Sequence, residues 1–390
     1  MSSALMSNYQ PLPVEFKSGA GAWLTNVDGQ RYLDALSGIA VCGLGHAHPA
    51  VQEAVADQAG KLIHTSNIYR IPLQEKLAEK LVEHSGMDKV FFGNSGAEAN
   101  EAAIKLARLY GNNKGVSNPV IVVMEKSFHG RTMATLTATG NDKVKKGFEP
   151  LVEGFKHIPY NNLDALNEIA ETTPNIVAVL VEPILGEGGI VIPDDGYLKA
   201  IRTFCDEHEC LMILDEIQTG MCRTGEWFAF QHEGIKPDVM TLAKALGNGV
   251  PIGACIASGA AANLFQPGSH GSTFGGNPLA ARAALSVIEV LEVDKLEQRA
   301  KVLGNRLLEG FKQSLSGING IKEIRGRGLM LGIELEKDCT DLVGLALDEK
   351  LLINVTAGNV IRLLPPLIIS NDEADEIVSK LSDVLMKYLS

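Results

Sequence analysis

No cluster of lysine and arginine interrupts these 390 residues, and the net charge is −12 with a pI near 5.3. That balance argues against nucleic acid or an anionic membrane as the main partner, because both are held through grouped basic side chains. No apolar run approaches the length needed to cross a bilayer, and "MSSALMSNYQ" at the start has neither the basic nor the apolar segment of a secretory leader. Cysteine is sparse. The six that occur form no C-x-x-C pair and no dense framework, which predicts free thiols in a reducing compartment and a cytoplasmic protein. His46-Ala47-His48 has no cysteine or carboxylate nearby at zinc spacing, so no metal site is predicted. Internal repeats, low-complexity tracts and Pro/Ser-rich linkers are also missing.

What is present is an ordinary folding chain, 45% hydrophobic and 21% charged. Its length exceeds one ordinary core and predicts a large domain with a smaller one. Alternating stretches around Asp28-Gly29 in "AWLTNVDGQRYLDAL" predict a hairpin. Further on, the runs "VFF", "VIVVM", "IVAVLV", "LMIL" and "ACIAS" alternate with stretches of helical period, as in an α/β fold with a parallel sheet. In "ANEAAIKLARLY" the residues Ala99, Ala103, Leu106 and Tyr110 share one helix face, and Val293 to Leu315 reads as another amphipathic helix. A last helix is expected from Asp372.

Chemistry in such sheets gathers just past the carboxyl ends of the strands. "VFFGNSGAEANE" runs from a strand through Ser95, Gly96 and Ala97 into a helix whose first turn offers free N–H groups to an anion. A strand-to-helix turn capped by Ser95 fits the same residues. The spacing of a P-loop or a dinucleotide fingerprint is lacking. "LMILDEIQ" ends on Asp215, a carboxylate at the close of an apolar run that requires a partner there: a cation such as a protonated ring nitrogen, an ion pair or a helix cap. In "TLAKALGN", Lys244 sits among small apolar residues, where desolvation lowers an amine's pKa and makes it nucleophilic. A phosphate site, an acid for a ring nitrogen and a nucleophilic lysine together point to pyridoxal 5′-phosphate.

"LMILDEIQTGMCRTGEWFAFQHEGIKPDVMTLAKALGNGVPIG" resembles the signature of class III, fold-type I pyridoxal-phosphate aminotransferases, and "SFHGRTMATL", "VEPILGEGG", "STFGGNPLA" and "IRLLPPL" follow in the family's order. The resemblance implies a large domain with a mainly parallel seven-stranded sheet flanked by helices, and a smaller α+β domain drawn from both termini. On that basis residues 1–59 form the N-terminal part of the small domain, 60–290 the large cofactor-binding domain and 291–390 the C-terminal part. It also implies that Lys244 joins the cofactor's aldehyde, Asp215 meets the ring nitrogen and Gln218 the phenolic oxygen. Phe128 and Ile217 flank the ring, Gly96 and Ala97 hold the phosphate with Ser95, and Thr273 reaches the phosphate of a neighbouring subunit in a homodimer. Cys222 and Asn248 stand where the family commonly has glycine, and Leu185 where glutamine is common.

Within the class, "DALSGIAVCGLGHAHP" and "SFHGRT" look most like the members that pass an amino group from N2-acetyl-L-ornithine to 2-oxoglutarate, forming glutamate, in arginine biosynthesis. Arg131 and Arg362 then resemble the carboxylate clamps, since arginine offers a planar bidentate fork. Ser272 is placed near the substrate. Glu187 is expected to pair with Arg362 when acetylornithine presents only its uncharged chain there, and to release it when glutamate arrives. Other donors of the class remain open: ornithine, succinylornithine, succinyl-diaminopimelate or 4-aminobutyrate. So do a non-transaminating enzyme with the same cofactor and a protein that only binds phosphate ligands.

Overall fold

The computed structural model describes residues 4–390, built around a seven-stranded sheet. From edge to edge its strands are Lys89–Gly93, Gly253–Ala257, Val239–Leu242, Leu211–Asp215, Ile176–Val181, Val120–Met124 and Phe155–Ile158. Gly253–Ala257 is antiparallel to both neighbours, and the other ladders are parallel. Alternate residues of the central strands enter two separate apolar clusters: Val179, Val181, Met212 and Leu214 in one, Ala178, Leu180, Leu211 and Ile213 in the other. Side chains alternate across a strand, so both faces of this sheet are buried, and the strands read as unbroken apolar runs for that reason. Phe155–Ile158 lies at the edge, is only partly buried and has the mixed sequence FKHI, so no apolar run marks it.

The expected hairpin is present, with Trp23–Asn26 antiparallel to Arg31–Asp34. Arg31–Asp34 also takes Leu351–Leu352 alongside it in parallel, so the N-terminal strands are completed by residues more than three hundred positions later. A third sheet, in the order Ile321–Arg327, Met330–Leu335, Val360–Leu363, Asn354–Thr356, is antiparallel throughout. Helix Gly96–Asn113 buries Ala99, Ala103 and Leu106 as read from its period, while Tyr110 is half-buried and donates its hydroxyl to the Glu209 carbonyl. The helix expected at Val293–Leu315 spans Leu296–Ser314 instead. Val293 ends the preceding helix, and Lys295 at φ +51° breaks the two apart. The final helix is Asn371–Leu389, its start fixed by reciprocal hydrogen bonds of Ser370 and Glu373.

Cys222 and Asn248 both occupy the left-handed region, at φ +68° and +46°, where a β-carbon is unfavourable and glycine is the natural choice. Asparagine tolerates that region, and here its side chain has a second use. Asn248 Oδ1 accepts from the Leu44 N–H at 2.8 Å and its Nδ2 donates to the Gly45 carbonyl at 3.1 Å. Asn248→Gly is therefore expected to lower stability by about 1 kcal/mol despite the easier backbone, since the Leu44 N–H loses its acceptor. Urea denaturation of the variant checks this; an unchanged or raised midpoint contradicts it.

Candidate active site

A cavity of about 400 Å³ lies where the carboxyl ends of the central strands meet the N-terminus of helix Gly96–Asn113. Ser95, Gly96 and Ala97 form the wall at the helix start. Ser95 Oγ accepts from the Glu98 N–H at 3.2 Å and so caps the helix. Gly96 is required by its neighbour, because a β-carbon there would come within 2.7 Å of Ile217 Cδ1. Phe128 and Ile217 line the cavity along with Gln218, whose seat depends on Gly186: a β-carbon on that residue would lie 2.5 Å from Gln218 Oε1.

Lys244 reaches this cavity from the turn after strand Val239–Leu242. Its backbone is left-handed, at φ +47°, a strained conformation of the kind that persists where the surroundings fix a functional side chain. Burial pulls its amine down from the ordinary lysine range to about 8; Glu187, Asp215 and Glu182 oppose that fall, and Arg362 adds to it.

Asp215 is 4% exposed at the end of its strand and is held from three sides. Asn100 Nδ2 donates to Oδ2 at 2.8 Å, His129 Nδ1 lies 2.7 Å from the same oxygen, and the Ile217 N–H donates to Oδ1 at 3.1 Å. Asn100 is itself fixed by the Thr241 hydroxyl, which donates to its Oδ1 at 2.7 Å. Glu182 closes the neighbouring strand and accepts from the Phe128 and Gly186 N–H groups at 2.8 and 3.0 Å, tying the two loops that frame the cavity. Burial raises its carboxyl to about 7. Asn100, His129, Glu182 and Thr241 were not singled out from the sequence. The signal for Glu182 was there, since it ends an apolar strand just as Asp215 does.

Arg362 is fully buried and its Nη1 lies 2.6 Å from Glu187 Oε1, whose side chain is 34% exposed. Nε donates to Asn354 Oδ1 at 3.1 Å, and Gln218 Nε2 donates to Glu187 Oε1 at 3.3 Å, so the pair is linked to the cavity wall. Burial would raise the Glu187 carboxyl, but the charge and hydrogen bond of Arg362 outweigh it and hold the group below its usual value. Arg362 Nη2 is buried with no partner among the described residues.

Arg131 is exposed, with its guanidinium carbon 5.6 Å from the Phe128 ring centre, and it lines the same cavity. Thr273 is not brought to the cavity within this chain; it is exposed beside Phe274, which is 59% exposed. Ser272 lies nearer, its Oγ accepting from Asn94 Nδ2 at 3.2 Å. Leu185 is buried and pairs with Val191, away from the cavity lining. His46 Nε2 lies 2.7 Å from Asp34 Oδ2, and the described residues hold no group of three or more His, Cys, Asp or Glu side chains placed to hold a metal ion. No helix among them is long and apolar enough to cross a membrane.

These residues fit pyridoxal phosphate. The helix start suits its phosphate. Phe128 and Ile217 suit a planar ring, a buried acid suits a ring nitrogen, and a desolvated amine suits an aldehyde. Comparison with known proteins agrees. The family described as aminotransferase class-III matches residues 4–385. Acetylornithine aminotransferase of Nitrosomonas europaea is 54% identical over 387 residues, 99% of this chain and 98% of the relative. That of Aquifex aeolicus is 48% identical over 382 residues, 98% of this chain and 99% of the relative. Among solved structures, ornithine aminotransferase of Toxoplasma gondii superposes with a TM-score of 0.95 at 35% identity, over 99% of this chain and 93% of that one. N-acetylornithine aminotransferase of Stenotrophomonas maltophilia does so with a TM-score of 0.84 at 37% identity, over 98% of each chain.

Proposed function

Because the chain belongs to the class-III aminotransferase family, we propose that it moves the δ-amino group of N2-acetyl-L-ornithine to 2-oxoglutarate. The products are N-acetyl-L-glutamate 5-semialdehyde and L-glutamate, a step of arginine biosynthesis. The acetylornithine aminotransferases named above, up to 54% identical, support the acetylated donor. The observation that carries the reading is the fully buried Arg362 paired at 2.6 Å with a carboxylate that is partly exposed. A site that serves one substrate with a carboxylate at this point and one without needs a built-in anion that can leave.

Pyridoxal phosphate, when bound, supplies an aldehyde that accepts amines and a ring that takes up the electron pair left by a broken C–H bond. Lys244 would hold that aldehyde. Beside a bound donor its ε-amine would take the proton from the donor's reacting carbon and give it up again. An amine with a pKa near 8 suits both roles, being a base strong enough to accept a proton and weak enough to give it back. Asp215, fixed by Asn100 and His129, would keep the ring nitrogen protonated.

Arg131 clamps the α-carboxylate of acetylornithine and the distal carboxylate of glutamate. Arg362 takes glutamate's α-carboxylate after Glu187 swings away; with acetylornithine bound, Glu187 stays and keeps a buried cation from standing unpaired. Thr273 serves the phosphate of a second copy, so the active unit is a homodimer with its sites at the subunit interface.

Two measurements test this. With 2-oxoglutarate as acceptor, kcat/KM for acetylornithine is expected to exceed that for free ornithine by about 10-fold or more, because a pocket shaped for the acyl chain discriminates at that scale; a preference for free ornithine overturns the substrate. Glu187→Ala is expected to slow the acetylornithine half-reaction and to leave the glutamate half-reaction equal or faster. If both halves respond alike, the two-carboxylate reading is wrong.

A further inference from the structure

The segment "IRGRGL" holds an arginine that the chemistry above does not use. Arg325 lies on strand Ile321–Arg327 directly opposite Gly332, and Gly332 lies opposite Arg362 on the next strand. Directly opposed residues in antiparallel strands project to the same face. The two guanidinium groups therefore flank a residue with no side chain. Over that gap passes the loop that carries Glu187: a β-carbon on Gly332 would come within 3.0 Å of Ile190 Cβ.

Arg362 meets the carboxylate of this loop, and Arg325 meets its backbone. Arg325 Nε donates to the Ile190 carbonyl at 2.7 Å and Nη2 to the Gly189 carbonyl at 2.6 Å. Nη1 lies 2.6 Å from a carboxylate oxygen of each of Glu323 and Glu334. The guanidinium is thus held by acids on one side and grips two successive carbonyls on the other, with the geometric specificity of a bidentate fork. Apolar burial of Ile184 and Ile190 anchors the ends of the loop. Gly188 and Gly189 follow Glu187, with Gly189 at φ +109° and Ile190 at +51°, and further polar fastenings are the Leu185–Val191 pair, the Gly186 N–H to Glu182, Gln218 Nε2 donating to Glu187 Oε1, and the Thr356 hydroxyl donating to the Glu187 carbonyl.

We propose that Arg325 is a positioning residue for substrate selection: by fixing the carbonyls of Gly189 and Ile190 it holds Glu187 at Arg362, and so sets how firmly the site is closed against an α-carboxylate. This rests on the exchange of Glu187 for glutamate's carboxylate described above. Loss of the grip weakens the Glu187–Arg362 contact needed with acetylornithine and lowers the barrier to its displacement by glutamate.

The test is a pair of single-turnover half-reactions on the holoenzyme, read from cofactor absorbance, for wild type, Arg325→Met, Glu187→Ala and the double variant. Arg325→Met is expected to lower kcat/KM for acetylornithine about 10-fold, the scale of a small misplacement of a substrate-positioning group. The value for glutamate is expected to stay equal or rise, and the double variant to be no worse than Glu187→Ala alone, because both changes act on one contact. Hydrogen exchange at the amides of residues 188–191 should accelerate in Arg325→Met. Gly332→Ala, which presses on Ile190 without removing a charge, should show the same asymmetry if Arg325→Met folds poorly. Equal losses in both halves, or multiplicative losses in the double variant, overturn the positioning role while Glu187→Ala stays asymmetric. If Glu187→Ala is itself symmetric, the carboxylate exchange falls and the role of Arg325 falls with it.

Discussion

Lys244→Ala is expected to lower turnover by at least about 10⁴-fold, the upper end of what a positioned acid–base group contributes, because the covalent step is lost as well. The variant should still fold. Among the described residues Lys244 has no side-chain hydrogen bond that bridges elements of the fold, and removing a desolvated amine also removes a group that burial disfavours. Cofactor binding should persist but become reversible on dialysis. The wild-type chain offers a matching test in its pH dependence. With an amine held near 8, the protonated and unreactive form dominates below that pH, so the rate at which cofactor-free protein recombines covalently with pyridoxal phosphate should rise as pH passes upward through about 8 and then level. A rate that still climbs steeply toward pH 10.5 would mean that burial does not lower this lysine's pKa.

The second large effect is expected from Asp215→Asn. Asparagine keeps the size of the side chain but carries no charge to hold a proton on a ring nitrogen, and it turns one acceptor oxygen into a donor beside Asn100 Nδ2 and His129 Nδ1. Turnover should fall by about 10³-fold, comparable to the loss of a preorganised electrostatic partner elsewhere. Both half-reactions should suffer equally, since each passes through the same ring. That symmetry separates Asp215 from Glu187 and Arg325, whose changes divide the two halves. A Glu187-like asymmetry in Asp215→Asn would place the aspartate with the substrate and not with the cofactor.

The parts of this fold that the sequence reveals are those whose burial is unconditional. "IVAVLV" and "LMIL" sit between two apolar clusters and therefore show no polar face, whereas the edge strand Phe155–Ile158 has the mixed sequence FKHI and looks like a loop. The break between the helices ending at Val293 and beginning at Leu296 depends on one left-handed lysine, which no periodicity announces.

The same holds at the site. Lys244 and Asp215 stand out because each is a charged residue at the end of an apolar strand. Their supports do not: Asn100 is one polar residue on the buried face of its helix beside Ala103, Ile104 and Ala107, and only folding places its amide 2.8 Å from Asp215. Arg325 is hidden for a related reason. The loop atoms it grips are backbone carbonyls about 135 residues earlier in the chain, and carbonyls leave no mark in a sequence. The cost of Cys222 at φ +68° is likewise visible only once the backbone is known.

The central claim is that the amine of Lys244 carries the cofactor at the end of the sheet facing Asp215. Borohydride reduction of the holoenzyme fixes such a link irreversibly, and proteolysis with mass spectrometry then locates it. The account predicts one modified residue, Lys244, with the label absent from Lys244→Ala. Label on any other lysine, or none in protein that is catalytically active, contradicts it.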